Sequence, residues 1–180
     1  MTQTRLFRIL FTRAANSARR HQRGFTLMEL LIVMSIMIIL MLIAIPNFIS
    51  MKSSADETSA MQSLRAIYQA QIQYQTNFPA NGFACQLSQL GGNPNSGPPS
   101  PTAAQMLQGD LAAGQKSGYT FAIVNCTKVT VNNQDQYTSY EATAVPQSIG
   151  KTGHRGFCID PAGEIKADLT GGTNCSQAIQ

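Results

Sequence analysis

The sequence of 180 residues predicts an α+β fold in which one long N-terminal helix packs on a small antiparallel β-sheet. Three observations support this prediction. An apolar run extends from Phe25 to Ile45, and apolar residues at helical spacing continue as far as Thr76. Segments rich in β-branched and aromatic residues then occupy the C-terminal half, where turn-forming residues separate them.

The apolar run is long enough to cross a membrane. About 20 residues at a rise of about 1.5 Å each match the hydrocarbon core of a bilayer. A buried helix of a soluble protein would have a polar face, which residues 25–46 lack, so we predict a transmembrane helix there. Its single charge is Glu29. A charged side chain at membrane depth costs about 2.5–3.5 kcal/mol, so a partner for Glu29 is expected.

Beyond this run the helical pattern is interrupted at Pro46, which cannot donate a backbone hydrogen bond and usually ends a helix. Because the pattern resumes, we predict a kinked, amphipathic continuation over residues 47–77, followed by a turn. Polar residues such as Asp56, Glu57 and Gln62 take the outer positions. The predicted apolar face consists of Ala55, Ala60, Met61, Leu64, Ile67, Tyr68, Ile72 and Tyr74.

The remaining residues, 78–180, are predicted to form a small globular domain. Residues 83–102 are rich in Gly and Pro and predict a loop, and Ala103–Ala113 predicts a short helix ending at Gly114. Three or four short antiparallel strands should follow, with a tight turn at Asp160–Gly163. The predicted strands are Tyr119–Val124, Tyr137–Val145, Gly156–Ile159 and Glu164–Ala167.

Charge is distributed unevenly along the chain. Residues 1–24 contain six of the 13 basic residues and no acidic one, so without this segment the formal charge falls from +4 to −2. A basic flank holds its end of a membrane helix in the cytoplasm. The remaining basic residues are scattered singly, which disfavours nucleic-acid binding as the main function.

The residues around Glu29 have a recognisable pattern. Gly24-Phe25-Thr26-Leu27-Met28-Glu29-Leu30-Leu31-Ile32-Val33 resembles the prepilin cleavage and methylation motif of type IV pilins and type II secretion pseudopilins. The resemblance implies that residues 1–24 are a cytoplasmic leader ending at Gly24, and that Phe25 becomes the N-methylated first residue. It implies that Glu29 orders subunits during assembly. Pro46 falls where many family members have a helix-kinking proline.

The resemblance also implies a pilin-like fold and a set of partners. These would be a prepilin peptidase and methyltransferase, an inner-membrane assembly platform, and copies of this or other pilin-like subunits. Two later segments, Lys116–Phe121 and Phe157–Ile165, resemble the C-terminal part of some pseudopilin-like proteins. The chain would lie in the bacterial inner membrane with its C-terminal domain in the periplasm, before it enters a filament.

This resemblance implies a structural subunit, not an enzyme. We favour a type II secretion pseudopilin. A surface type IV pilin for adhesion, motility or DNA uptake is the first alternative, and a monomeric membrane-anchored binding module is the second. No pairing of a nucleophile with a base is apparent, and His154 outside the leader reads as an exposed loop residue.

Four cysteines all follow the predicted membrane helix, which places them in an oxidising compartment and indicates disulfides. Four cysteines allow three pairings, of which we favour Cys85–Cys126 and Cys158–Cys175. No cofactor is predicted. Asp160, Glu164, Asp168 and the carbonyl oxygens around Gly171-Gly172 could supply ligands to a calcium ion, but ordinary exposed turn carboxylates are the better interpretation.

Overall fold

The computed structural model describes residues 25–131 and 133–179. These residues divide into two compact units at Leu42 and Ile43, and each unit is described by itself. The first helix, α1, spans Leu27–Asn77 and continues through Pro46. The leader residues predicted at 1–24, including Gly24, lie outside the described residues.

In the first unit, α1 exposes every side chain from Leu27 to Leu42. Because this segment is apolar on all faces, it has no polar stripe that would direct one side towards water. Such a surface needs an apolar environment, which a bilayer or a bundle of like helices would provide.

In the second unit, one stripe of α1 is buried against the globular domain. Ala60, Leu64, Ile67 and Tyr74 lie on this stripe, as predicted. Two assignments to the apolar face were wrong, because Ala55 and Ile72 are exposed. Four polar residues lie on the buried stripe instead. They are Ser53, Glu57, Ser63 and Gln71.

The segment between α1 and the sheet contains three very short helical turns. They are α2 (Leu87–Leu90), a 3₁₀ turn (Pro94–Ser96) and α3 (Gly109–Ala112). The predicted helix over Ala103–Ala113 is therefore wrong for its first part. The backbone N–H groups of residues 104–107 donate to carbonyl oxygens of residues 89–91, so this stretch is not helical and lies beside α2.

Six strands form one antiparallel meander in sequence order. The third and fourth predicted strands are found within one residue of their predicted ends. The first two predicted strands are each extended to 13 residues in the structure, which contradicts the prediction of short strands. The strands are β1 (Gln115–Lys116), β2 (Tyr119–Val131), β3 (Gln134–Pro146), β4 (Gly156–Ile159), β5 (Ile165–Asp168) and β6 (Gln177–Ala178).

The unexpected length of β2 and β3 has a local cause. The register shifts between Val124 and Thr127, and Asn125 has a φ of 51°. This bulge accommodates residues that interrupt the β pattern, and the β-branched segment from Val129 then resumes pairing as far as Val131.

The core lies between the second part of α1 and the sheet. Large side chains with almost no exposure fill it, among them Tyr74, Tyr119, Tyr140 and Phe157. Small residues on β3, Ala142 and Ala144, leave space for them. The predicted α+β architecture, a long N-terminal helix packed on a small antiparallel sheet, is confirmed.

Two disulfides link distant parts of the domain. Cys85 is bonded to Cys126 and Cys158 to Cys175, which is the pairing favoured from the sequence, and both pairs have Cα atoms 6.0 Å apart. The first joins the segment after α1 to the bulge of β2. The second joins β4 to the C-terminal segment.

Candidate functional site

The N-terminal start of α1 is capped by a side chain. The Thr26 hydroxyl oxygen accepts a hydrogen bond of 3.1 Å from the backbone N–H of Glu29. This bond satisfies one of the donors that the first helical turn leaves without a partner. Thr26, which lies two residues after Gly24, therefore helps fix the point at which the helix begins.

Glu29 lies in the first turn of α1 and is exposed. A negative charge is favourable there, because the aligned peptide dipoles make the start of a helix positive. None of the four ion pairs found among the described residues involves Glu29. Its carboxylate is accordingly open to a partner from outside the described part of the chain.

Phe25, the predicted first residue after cleavage, precedes the helix and is 81% exposed. Within the described ranges, α1 is the one helix long and apolar enough to span a membrane, and its most apolar window is entirely exposed. The first unit thus combines an exposed Phe25 with an apolar helix whose side chains are exposed.

A second cluster joins α1 to the sheet domain through Glu57. One carboxylate oxygen accepts bonds from the backbone N–H groups of His154 (2.8 Å) and Arg155 (3.3 Å). The other accepts from Nε (3.0 Å) and Nη2 (2.8 Å) of the Arg155 guanidinium. Glu57 therefore ties the helix to a loop almost 100 residues away in sequence.

The hydrogen bonds determine the charge state of Glu57. Burial by itself would raise the pKa of this carboxyl, but the bonds from His154 and Arg155 and the guanidinium charge outweigh it and lower the pKa. The Tyr119 hydroxyl donates a 2.9 Å bond to the carbonyl oxygen of Arg155. Burial, with the nearby Glu57 charge, raises the pKa of Tyr119, so its hydroxyl stays protonated.

On the buried face of α1, closer to its C-terminal end, the Gln71 side chain makes two hydrogen bonds with the loop after α1. Its amide nitrogen donates to the Ala84 carbonyl oxygen at 2.7 Å, and its amide oxygen accepts from the Ala84 N–H at 2.8 Å. Both residues are buried. Since Ala84 precedes Cys85, this pair holds the first disulfide close to α1.

The C-terminal loop is held by Asp168 and by the second disulfide. The Asp168 carboxylate accepts bonds from the Thr170 N–H (2.8 Å) and hydroxyl and from the Asn174 N–H (2.9 Å). The Thr170 hydroxyl and N–H are the leading causes that lower the pKa of Asp168. Cys175 follows Asn174, so the same bonds position it beside Cys158.

The three carboxylates weighed as calcium ligands serve other contacts. Asp160 accepts backbone hydrogen bonds within its own turn, and the carboxylates of Asp160 and Glu164 each lie 3.5 Å from the Lys166 ammonium. Asp168 faces backbone donors of the C-terminal loop. Within the described ranges, no group of three or more His, Cys, Asp or Glu residues is arranged to hold a metal ion.

Among residues 25–131 and 133–179, the structure brings no catalytic group together around His154. This side chain is exposed, as predicted, and its part in the Glu57 cluster is made by its backbone N–H. A shallow depression of about 520 Å³ is lined by Asp110, Lys116, Ser117 and Gln147 among others, and its Ser117 hydroxyl is hydrogen-bonded to the Ser59 hydroxyl.

Sequence reasoning missed Glu57, Gln71 and Thr26. The prediction places Glu57 on the outer face and assigns no position to Gln71, because a helical pattern does not show which polar residues contact backbone groups of a loop. Thr26 could have been found, since a Thr followed three residues later by Glu is the signature of a capped helix start.

Comparisons with known proteins agree with the N-terminal pattern. Residues 19–45 match the family described as the prokaryotic N-terminal methylation motif. The chain is also 51% identical over 49 residues to the type IV major pilin protein PilA of Myxococcus xanthus (strain DK1622). The aligned segment covers 27% of this chain and spans only 22% of the relative's length. No solved structure matches the chain.

Proposed function

We propose that this chain, a member of the type IV pilin and pseudopilin family by its N-terminal segment, is a structural subunit of a helical filament. The observation that supports the proposal most strongly is the first half of α1, an apolar and uncovered helix with one carboxylate in its first turn. A disulfide-bonded domain follows it. We therefore assign the chain a structural role, not a catalytic one.

The proposed processing begins at the membrane. Residues 1–24 stay in the cytoplasm, residues 25–46 span the inner membrane, and residues 47–77 continue the helix into the domain of residues 78–180. A prepilin peptidase cuts after Gly24, where the absence of a side chain lets an enzyme approach the backbone. The new amine of Phe25 is then methylated. The exposure of Phe25 supports access to this position.

The proposed assembly step pairs Glu29 with a neighbouring subunit. Its carboxylate lies in an apolar segment, and the N-terminal amine of another Phe25 would offer the opposite charge. Two such charges about 4 Å apart interact with about 1 kcal/mol in water and far more strongly where the dielectric constant is low. An incoming subunit in the wrong register would leave Glu29 unpaired, so pairing selects the register.

Two uses of such a filament are candidates. The first is a type II secretion pseudopilus, supported by the small C-terminal domain and by its resemblance to pseudopilin-like proteins. The second is a surface pilus for adhesion, motility or DNA uptake, supported by the partial identity to a type IV major pilin. A disulfide that closes a C-terminal loop, here Cys158–Cys175, also fits a surface pilin.

A different class of function is a monomeric membrane-anchored binding module. It would use α1 only as an anchor, with the largely exposed loop of residues 91–101 or the C-terminal disulfide loop as its contact surface. This alternative predicts no association between copies of α1 in the membrane, whereas the filament proposal requires it.

The Glu29→Gln variant tests the proposal, because it removes the charge and keeps the shape of the side chain. Glu164→Gln, which neutralises an exposed carboxylate of the globular domain, is the matched control. The expected result is a processed Glu29→Gln chain that stays in the membrane and fails to crosslink to itself or enter filaments. Normal assembly of this variant would contradict the proposed role of Glu29.

A further inference from the structure

The globular domain exposes two large apolar side chains on adjacent loops. Ile149 is 64% exposed and Leu169 is 58% exposed. Their loops pack on each other, because a Cβ atom built on Gly171 would lie 3.2 Å from both the Ile149 side chain and the His154 carbonyl oxygen. We call Ile149 and Leu169, with their two loops, the basal surface.

The basal surface lies at the end of the domain from which α1 leaves. Glu57 fixes this position, since its carboxylate binds His154 and Arg155 of the first loop. The turn before β2 also contacts this part of α1, because the hydroxyl oxygens of Ser59 and Ser117 are 2.9 Å apart. Both loops are thus attached close to the first buried turn of α1, which starts at Ser53.

The chain also indicates where a bilayer would end. Exposed apolar residues on α1 continue to Met51, and Lys52 is the first charged residue after Glu29. At a rise of about 1.5 Å per residue, Glu57 lies about 8 Å beyond Lys52. The polar interfacial layer on each side of a bilayer is about 5–8 Å thick. Beyond the proposed span of residues 25–46, residues 47–51 would fill that layer, so the loops held by Glu57 lie about 8 Å from its outer edge, a distance that their exposed side chains would have to bridge.

We propose that the basal surface rests on the bilayer, with Ile149 and Leu169 entering the interfacial layer of the leaflet on the side of the globular domain. This inference rests on the proposed membrane anchor and extends it from α1 to the domain. It gives the subunit a second membrane contact, which must be broken before the subunit can move into a filament.

The charges at this end suit a lipid surface. Lys52, Lys116 and Lys151 are exposed, and the nearby acidic residues are Asp110, which is exposed, and Asp56, which is partly exposed. Glu57 adds no free charge, because Arg155 pairs with it. Asp168, next to Leu169, offsets the remaining positive charge, so apolar insertion should dominate the contact.

The absence of tryptophan from the chain allows a direct test. The full chain is reconstituted at low protein density into vesicles of phosphatidylcholine, with and without phosphatidylglycerol, that contain bromine-labelled acyl chains. Ile149→Trp and Leu169→Trp each place one fluorophore on the basal surface. Val131→Trp places one on the far end of the β2–β3 hairpin, at a site that is 47% exposed. Formation of both disulfides confirms that each variant is folded.

The expected result is a blue-shifted emission that the brominated lipids quench for Ile149→Trp and Leu169→Trp, and a solvent-like, unquenched emission for Val131→Trp. Solvent-like emission at all three positions would overturn the inference. A blue shift that grows with protein density and is not quenched by lipid would overturn it as well, because a second copy would then cover the surface.

A fourth probe separates this inference from the proposed function. Met37→Trp lies in the apolar part of α1 and should be quenched strongly if that helix is in the bilayer. Quenching at position 37 without quenching at 149 and 169 would remove the basal contact and keep the anchor. Loss of quenching at position 37 would contradict the membrane anchor itself.

Discussion

The carboxylate of Glu57 and the guanidinium of Arg155 form a bidentate ion pair, with Oε2 lying 3.0 Å from Nε and 2.8 Å from Nη2. The Glu57 side chain is 9% exposed and that of Arg155 is 39% exposed. Backbone N–H groups of the same loop complete the coordination of the carboxylate. These contacts attach α1 to the sheet domain near Ser53, where its buried stripe begins.

Neutralising Glu57 should weaken this attachment. We expect Glu57→Gln to lower the free energy of unfolding of the globular domain by about 2 kcal/mol, because charge-assisted hydrogen bonds to a buried carboxylate are lost. Urea denaturation followed by circular dichroism measures the change. Asp110→Asn, which alters an exposed carboxylate, should change it by less than about 0.5 kcal/mol. Equal effects of the two variants would contradict the assigned role.

The pH dependence of the domain's stability follows from the direction in which folding shifts the pKa of Glu57. Because the pKa of Glu57 is lower in the folded state than its ordinary value of 4.5, its contribution is fully present above pH 4.5. It is lost as the pH falls below 4.5 and through the folded-state pKa. Thermal denaturation between pH 7 and pH 3 should show a smaller loss of stability in Glu57→Gln than in the wild type. Parallel curves would contradict this prediction.

Gln71 is expected to matter as much as an apolar core residue. Replacing it by Leu leaves the buried N–H and carbonyl groups of Ala84 without partners, which should cost about 2–3 kcal/mol. Gln73→Leu, an exposed substitution on the same helix, is the matched control. A difference in urea midpoint between the two variants measures the contribution. Equal midpoints would show that the bonds to Ala84 contribute nothing net.

The two disulfides should differ in their contribution to stability. They close loops with sequence separations of 41 residues for Cys85–Cys126 and 17 residues for Cys158–Cys175. The chain-entropy relation gives about 4 and about 3 kcal/mol, respectively. Paired Cys→Ser variants compared by denaturation under non-reducing conditions test the order. A larger loss for the shorter loop would mean that effects in the folded state outweigh loop entropy.

Much of the fold could be predicted because local patterns and tertiary structure agree. The stripe from Ala60 to Tyr74 has the period of a helix, the apolar run has the length of a membrane span, and the strands Gly156–Ile159 and Ile165–Asp168 are short runs on either side of a turn. The length of β2 could not be predicted, because Asn125 and Cys126 interrupt the β pattern. A positive φ at Asn125 resolves the interruption as a bulge.

The contacts of Glu57 and Gln71 could not be predicted for a different reason. Both residues lie on a helix whose polar positions look alike in sequence, and their partners are backbone groups, which every residue has. Ala103–Ala113 illustrates the same limit. Its apolar spacing suits a helix, yet pairing with residues 89–91 satisfies its first backbone donors better. In all three places, hydrogen bonds between residues distant in sequence determine the structure, and a local pattern does not reveal them.

The most direct test of the central claim is the intact mass and N-terminal sequence of the protein from membranes and from sheared surface filaments. The account predicts a chain that starts at N-methylated Phe25, with the first 24 residues removed. The same processed chain in the sheared fraction would favour a surface pilus, and its confinement to membranes would favour a pseudopilus. A chain that still begins at Met1 in both fractions would contradict the account.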